Sequence, residues 1–449
     1  MKHLYILFVL ILALLIIPAC SENVSTTEDD TFNFPETTEG AVTIVGMKKY
    51  FLVTIDYTKE TNRKKIGEQY AKLILKTVKD FESRIAWYFF EITLNYPDLA
   101  GATLSNRIKE IKANLNPDYV EELEGMVSVM KGSGLYSNNT LVYGYNFIPD
   151  ICRTTQCNGF GVWGDYTTEN KVIAYRTLDW FGGIQLSFTE GDLLSKLQTV
   201  TKLIYPNKTV YLFGALGHLG CITGINSTNK IMGAILDAPI SEVKYSSTNK
   251  SSYNFDLRFA LENKSSTDEI ANYLCNPDKN YAYNHLILLA DTKSVRFLEN
   301  NISNFGEKPR RELRTDTSSL NSNIVWPYKS IIAAVNCFML QGQPNNYNQG
   351  ELAKINVERW KLLTSRLYKT LEARQNKLSK DDVKSIMCSY WGKEPKSLIW
   401  DDVGDLYNQE SQQMFLYVPE DNYLEIFYKP TDGSTPKDPK PYFFKVDLK

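Results

Sequence analysis

Histidine is the scarcest chemically versatile residue in this chain. Its 449 residues include only His3, His218 and His285. His3 lies in an apolar leader, so a zinc site built from several imidazoles is excluded in practice. Cysteine is also sparse: there are seven, and no two stand in a CxxC pair. That removes the usual thiolate metal sites and redox dithiols. Neither charge is in excess. Lys and Arg number 50, Asp and Glu 52, for a net charge of -2. A chain without a basic field offers no electrostatic footprint for nucleic acid or an anionic membrane. Internal repeats and a phosphate-cradling glycine loop are missing too. No cofactor and no metal are expected.

What is present begins with material for a large core: 43% of residues are hydrophobic and 12% aromatic. Length alone suggests two or three domains. Residues 1–19 read as a secretory signal peptide, with a basic start and an apolar run from Leu4 to Ile17. That run is short for a permanent span. Ile17-Pro18-Ala19-Cys20 also approximates a bacterial lipobox, which would place lipid on Cys20. Seven glycosylation sequons, at Asn23, Asn138, Asn207, Asn226, Asn249, Asn263 and Asn301, favour instead a eukaryotic secretory or lysosomal route. Residues 20–40 are polar and acidic and read as a disordered tether.

Residues 41–156 read as mostly helical. Met47 to Tyr57 looks like a strand. Ile66, Tyr70, Ile74, Val78, Phe81, Ile85, Phe89 and Ile92 then recur every three or four residues, the period of one long amphipathic helix. Asn116 and Pro117 suit an N-cap and first helical position, with Leu123, Val127 and Met130 continuing one face. From Cys157 the character changes to strands: Cys157 to Gly164, Lys171 to Arg176, Gly220 to Ile225, Ile231 to Leu236, Leu286 to Ala290, Ser294 to Glu299, Gln413 to Val418 and Tyr423 to Tyr428. A helical stripe of Val357, Trp360, Leu363, Leu367 and Leu371 interrupts them, and Ser379 with Asp382 suggests a capped helix start.

The segment CNGFGVWGDYTTENKVIAYRTLDWF, from Cys157 to Phe181, carries the chemistry. Its two strands flank a turn at Asp165 to Asn170, which would set Arg176 opposite Gly159. Alternation then puts Arg176 on the face of Cys157, within a long side chain's reach. Gly159 and Gly161 on that face leave room for a substrate. A one-residue slip would reverse the face. The spacing alone also suits an ordinary hairpin with an inert, buried cysteine. Cys152 is a rival nucleophile, but the Arg and Asp spacing fits Cys157.

This segment resembles the acyl-CoA:6-aminopenicillanic acid acyltransferase-like family of cysteine N-terminal nucleophile hydrolases. Its relatives include acid ceramidase, N-acylethanolamine acid amidase and the bile-salt and penicillin V amidases. Cys157, Trp163, Gly164, Arg176, Asp179 and Trp180 fill the family pattern without a gap. LEGMVSVMKGSG, GHLGCITGIN, YNHLILLADTKSVRFLE and SQQMFLYVPEDNYLEIFY resemble further family pieces, so the likeness runs from about residue 45 to the C-terminus. Asn158 and Gly159 depart from the Ser or Thr often found after the nucleophile. Asp237 stands where some relatives place a second oxyanion asparagine.

The resemblance implies an α+β fold, an αββα sandwich of two antiparallel sheets between helical layers. It implies autocatalytic cleavage of the Gln156–Cys157 bond, giving a helical α-subunit and a catalytic β-subunit, 157–449, as partners. It assigns Arg176 and Asp179 to the site and Asn284 to the oxyanion. Asn226 at the end of its Gly-x-Asn stretch reads as a turn residue. The expected substrate is a small-molecule linear amide with an apolar acyl group, with hydrolysis and acyl transfer both open and a weak membrane or lipid association compatible. A thiol with an unperturbed pKa of about 8.5 needs a base. The freed α-amine of Cys157, near pH 8, can serve. Two other readings stay open: an uncleaved Cys157–His285 hydrolase, and a secreted glycoprotein that keeps the fold as a binding module.

Overall fold

In the computed structural model, two β-sheets lie face to face and helices cover the outer side of each. The structure describes residues 32–95, 101–134, 136–152, 155–183, 193–239, 249–302, 310–347, 353–388 and 405–449. They fall within one folded unit. The expected leader, Cys20, Asn23 and the first part of the tether lie outside the described residues.

The larger sheet has ten strands. Their spatial order is Thr37–Glu39, Val42–Gly46, Phe51–Asp56, Gln198–Tyr205, Lys208–Ala215, Thr223–Asn226, Ile231–Asp237, His285–Ala290, Val295–Asn301 and Arg310–Arg314. The smaller has six: Ile331–Ala334, Thr155–Val162, Ile173–Trp180, Ser411–Val418, Tyr423–Tyr428 and Phe444–Asp447. Helix Tyr253–Asn263 lies on the outer face of the large sheet, where Asn226 Nδ2 donates to Leu261 O at 2.8 Å. Helices Ala353–Ala373 and Lys380–Met387 cover the small one, burying Leu363, Leu367, Val383 and Met387 against Phe160, Tyr175 and Leu416. The architecture is therefore the expected αββα sandwich.

Four details differ from the sequence reading. One neighbouring pair, Phe51–Asp56 with Gln198–Tyr205, is parallel, in an otherwise antiparallel sheet. A parallel pair needs a long crossover, and the helices after residue 57 supply it. The N-terminal segment is also less helical than expected, because it contributes three strands to the large sheet. The tether ends before residue 40, since Thr37–Glu39 pairs with Val42–Gly46 and Phe32 is buried against Phe51. Finally, the stripe from Ile66 to Ile92 belongs to two helices, Arg63–Thr77 and Phe81–Asn95. Val78 between them is extended, with φ -122° and ψ 92°. Three-to-four spacing persists across the break, so periodicity could not reveal it.

The segment on either side of Cys157 is tied to the rest by buried charge. Arg258 Nη1 donates to Glu122 Oε2 and Arg258 Nε to Glu262 Oε1, both at 2.7 Å, and Arg63 reaches Glu122 at 2.6 Å. Glu122 and Arg63 precede Cys157 in the chain; Arg258 and Glu262 follow it. One buried network thus bridges the two prospective subunits.

Candidate active site

The hairpin sets the site. Thr155–Val162 pairs with Ile173–Trp180 so that Gly159 opposes Arg176 and Cys157 opposes Leu178. Directly opposed residues share a face, so the Cys157 thiol and the Arg176 guanidinium both point at the large sheet. Arg176 Nη2 lies 3.6 Å from Cys157 Sγ and donates to Ile235 O at 2.9 Å. Both residues are fully buried. Burial pushes the thiol up, and Arg176 pulls it back down. Burial also lowers Arg176, against the pull of Cys157 and Asp179. Its Nε and Nη1 make no hydrogen bond, an expensive state for a buried cation.

The glycines on that face have a different use from the one expected. A Cβ on Gly161 would come within 2.3 Å of Val295 Cβ, and one on Gly159 within 3.0 Å of Leu288 and Phe297. The missing side chains let the two sheets close on each other. They do not open a substrate space.

Asp179 sits three residues after Arg176, so alternation turns it to the opposite face, toward the helix Ala353–Ala373. There its Oδ1 accepts from Ser411 Oγ at 2.6 Å, and its Oδ2 from Arg359 Nη2 at 3.2 Å and Asn408 Nδ2 at 3.3 Å. Burial pushes its carboxyl up while Arg359 holds it down. Asp179 joins Cys157 through two intermediates. Arg359 Nη1 donates to Asn336 Oδ1 at 2.8 Å, and the same oxygen accepts from the Cys157 backbone N–H at 2.7 Å. Asn336 Nδ2 in turn donates to Asp237 O at 2.8 Å. The α-nitrogen of Cys157 therefore stands at the end of a buried relay that runs through Asn336 and Arg359 to Asp179.

Asn336 and Arg359 were not singled out in the sequence, yet both carry a signal. Asn336 is a lone amide in the apolar run IIAAVNCFML. Arg359 shares the buried helix face of Asn356, Leu363 and Leu367, where a charged residue has no packing reason to be. Asn356 Nδ2 also donates to Asn336 O at 3.0 Å.

The other candidates fall elsewhere. Asn284 is buried; its Oδ1 accepts from Ile302 N at 2.7 Å, and its Nδ2 makes no hydrogen bond. Its backbone carbonyl accepts from Ala238 N at 3.4 Å, one residue after the Asp237 whose carbonyl Asn336 holds. His285 stacks on Tyr253 with ring centroids 4.3 Å apart. Its Nδ1 meets Tyr283 O at 3.0 Å and its Nε2 meets Asn300 Nδ2 at 3.1 Å, so both ring nitrogens are engaged away from the thiol. Asn226 is the last residue of the strand Thr223–Asn226 rather than part of the turn, and its Oδ1 accepts from Asn229 N in the turn that follows. Its amide is buried, so that sequon is closed in the folded chain. Cys152 is buried at the C-terminal cap of the short helix Ile148–Ile151, and burial pushes its thiol up to about 12, which makes it a poor rival. All six described cysteines, 152, 157, 221, 275, 337 and 388, are free thiols.

No family model matches the chain, and no curated protein does. Among solved structures, it is similar to the Caenorhabditis elegans N-acylethanolamine-hydrolyzing acid amidase ortholog, with 11% identity and a TM-score of 0.37 over 65% of this chain and 100% of that one. It is similar also to penicillin V acylase from Agrobacterium tumefaciens, with 12% identity and a TM-score of 0.37 over 65% of this chain and 86% of that one. Superpositions this loose transfer no role to a residue here.

Proposed function

We propose that this chain cuts itself before Cys157 and then uses the Cys157 thiol, with its own freed α-amine as base, to break linear amide bonds other than peptide bonds. The observation that carries the reading is the buried relay from the Cys157 nitrogen through Asn336 and Arg359 to Asp179. An ordinary amide in mid-strand needs one acceptor and is served by its ladder. An amide donating to a buried side chain that is itself held by an arginine and a carboxylate is suited to hold an amine once the bond is gone.

In the first step, Cys157 Sγ attacks the Gln156 carbonyl carbon, the C–N bond breaks, the nitrogen takes the thiol proton, and a thioester forms. Water then releases the Gln156 carboxylate and restores the thiol. In turnover the freed amine takes the thiol proton, the sulfur attacks a substrate amide, and the amine product leaves with that proton. Water, or another amine, accepts the acyl group. Arg176 stabilises the thiolate, and Asn284 remains the proposed oxyanion donor through its unbonded Nδ2. The resemblance in the sequence adds the preference for an apolar acyl group and a secretory or lysosomal setting.

The test is the mass and N-terminal sequence of protein matured in its native host, alongside the Cys157→Ala variant. A second polypeptide beginning at Cys157, absent from Cys157→Ala together with amide turnover, is expected. A fully active chain continuous across Gln156–Cys157 overturns the proposal. An intact chain with no turnover and an unreactive Cys157 would leave the binding-module reading in its place.

A further inference from the structure

One step along the β-ladder from Cys157 lies a narrow cleft that reaches Leu178. Leu178 opposes Cys157 on one side and Gln413 on the other, so Cys157, Leu178 and Gln413 form one row across three strands. At about 4.5–5.5 Å per step, Gln413 stands about 9–11 Å from Cys157 along the row. Leu178, Trp180, Gln412, Gln413, Tyr145 and His218 are among the residues lining the cleft. Successive strand residues normally point to opposite faces, yet Gln412 and Gln413 both line it. The register shift between Ser411 and Gln413 explains this, since a bulge re-aims one side chain.

The lining is apolar at Leu178 and polar around Gln413, and among the described residues no charged side chain takes part. Two of its polar atoms pair with nothing else in the fold: Tyr145 Oη and Gln413 Oε1. Each belongs to a residue more than nine-tenths buried. Gln413 is fixed by its other end, where Nε2 donates to Gln198 Oε1 at 2.6 Å and to Gly214 O at 3.1 Å. Burial also pushes His218 down to about 4, which keeps the ring neutral. Two buried, unpaired polar atoms at one end of a mostly apolar cleft are costly unless a ligand pairs with them.

The uncut chain indicates which part of a substrate would lie here. On the acyl side of the bond to be cut stand Gln156 and Thr155, and Thr155 pairs with Trp180, which lines the cleft. Resting on the proposed amide-cleaving function, we infer that this cleft receives the acyl group, and that Gln413 and Tyr145 select one that is apolar next to the carbonyl and ends in an uncharged hydroxyl or carboxamide.

The test uses self-cut protein and coumarin amides of graded acyl length, each ending in methyl, hydroxyl, carboxamide or carboxylate. At the best length, the hydroxyl or carboxamide end should exceed methyl in kcat/KM by about 10–100-fold, with carboxylate the poorest. Tyr145→Phe and Gln413→Met should each shrink that ratio by about 10-fold while still producing the cut chain, which reports folding. Equal or better turnover of the methyl end at every length, or a ratio unmoved in both variants, overturns the inference. Turnover with no end-group preference sinks only this selectivity. If no amide in the series is cleaved, the amide-cleaving reading fails and this one with it.

Discussion

Replacing Asp150 by asparagine should remove a specific slope in the stability of this fold with pH. Asp150 lies on the turn Ile148–Ile151, shortly before the Gln156–Cys157 bond. Its buried carboxyl accepts from Ser252 Oγ at 2.6 Å, Tyr253 N at 2.9 Å and Asn254 Nδ2 at 3.0 Å. It thereby fastens the end of the prospective α-subunit to the start of helix Tyr253–Asn263. Burial dominates and pushes the carboxyl up to about 8, against the pull of Ser252 and Tyr253. An unfolded aspartate titrates near 3.9. Between those values the folded chain holds a proton that the unfolded chain has released. The contribution is therefore fully present below about pH 3.9, falls as pH rises through the window, and is gone above about pH 8. One proton corresponds to about 1.4 kcal/mol per pH unit. The assay is urea unfolding of the uncut Cys157→Ala chain across that range, with and without Asp150→Asn. The gap between the two chains should change by about 1.4 kcal/mol per unit, to the detriment of Asp150 as pH rises. Curves that stay parallel would refute the argument, because they would mean Asp150 is ionised in the fold throughout.

Three further outcomes follow from the same geometry. Arg258→Met removes the cation between Glu122 and Glu262 and should cost about 3–5 kcal/mol in uncut Cys157→Ala protein, read by urea unfolding. Asn336→Ala strips the acceptor from the Cys157 nitrogen and from Arg359. At about 1–3 kcal/mol per lost bond, self-cleavage followed on a denaturing gel should slow about 10–100-fold. Gly161→Ala forces a methyl into Val295 and should destabilise the sandwich by about 1–3 kcal/mol, measured by thermal unfolding.

Much of the hairpin was legible because strand alternation is a local rule. Once Asp165 to Asn170 is taken as the turn, the pairing of Gly159 with Arg176 follows, and the ladder has it. The strands Ile231–Asp237, His285–Ala290 and Tyr423–Tyr428 were visible as short apolar runs bounded by turn residues. Gln198–Tyr205 and Lys208–Ala215 were not identified, although they form a hairpin in the middle of the large sheet. The break at Val78 stayed hidden because its neighbours keep helical spacing.

Residue order alone placed a thiol, a guanidinium and a carboxylate on one short hairpin and excluded histidine-rich metal chemistry, since both depend only on which residues stand near each other in the chain. The relay was a tertiary decision. Asn336 and Arg359 lie 179 or more residues beyond the atoms they meet at Cys157 and Asp179, and no local pattern encodes such a meeting. So was the role of Gly159 and Gly161, because what fills the space above a glycine is decided by the sheet that packs on it.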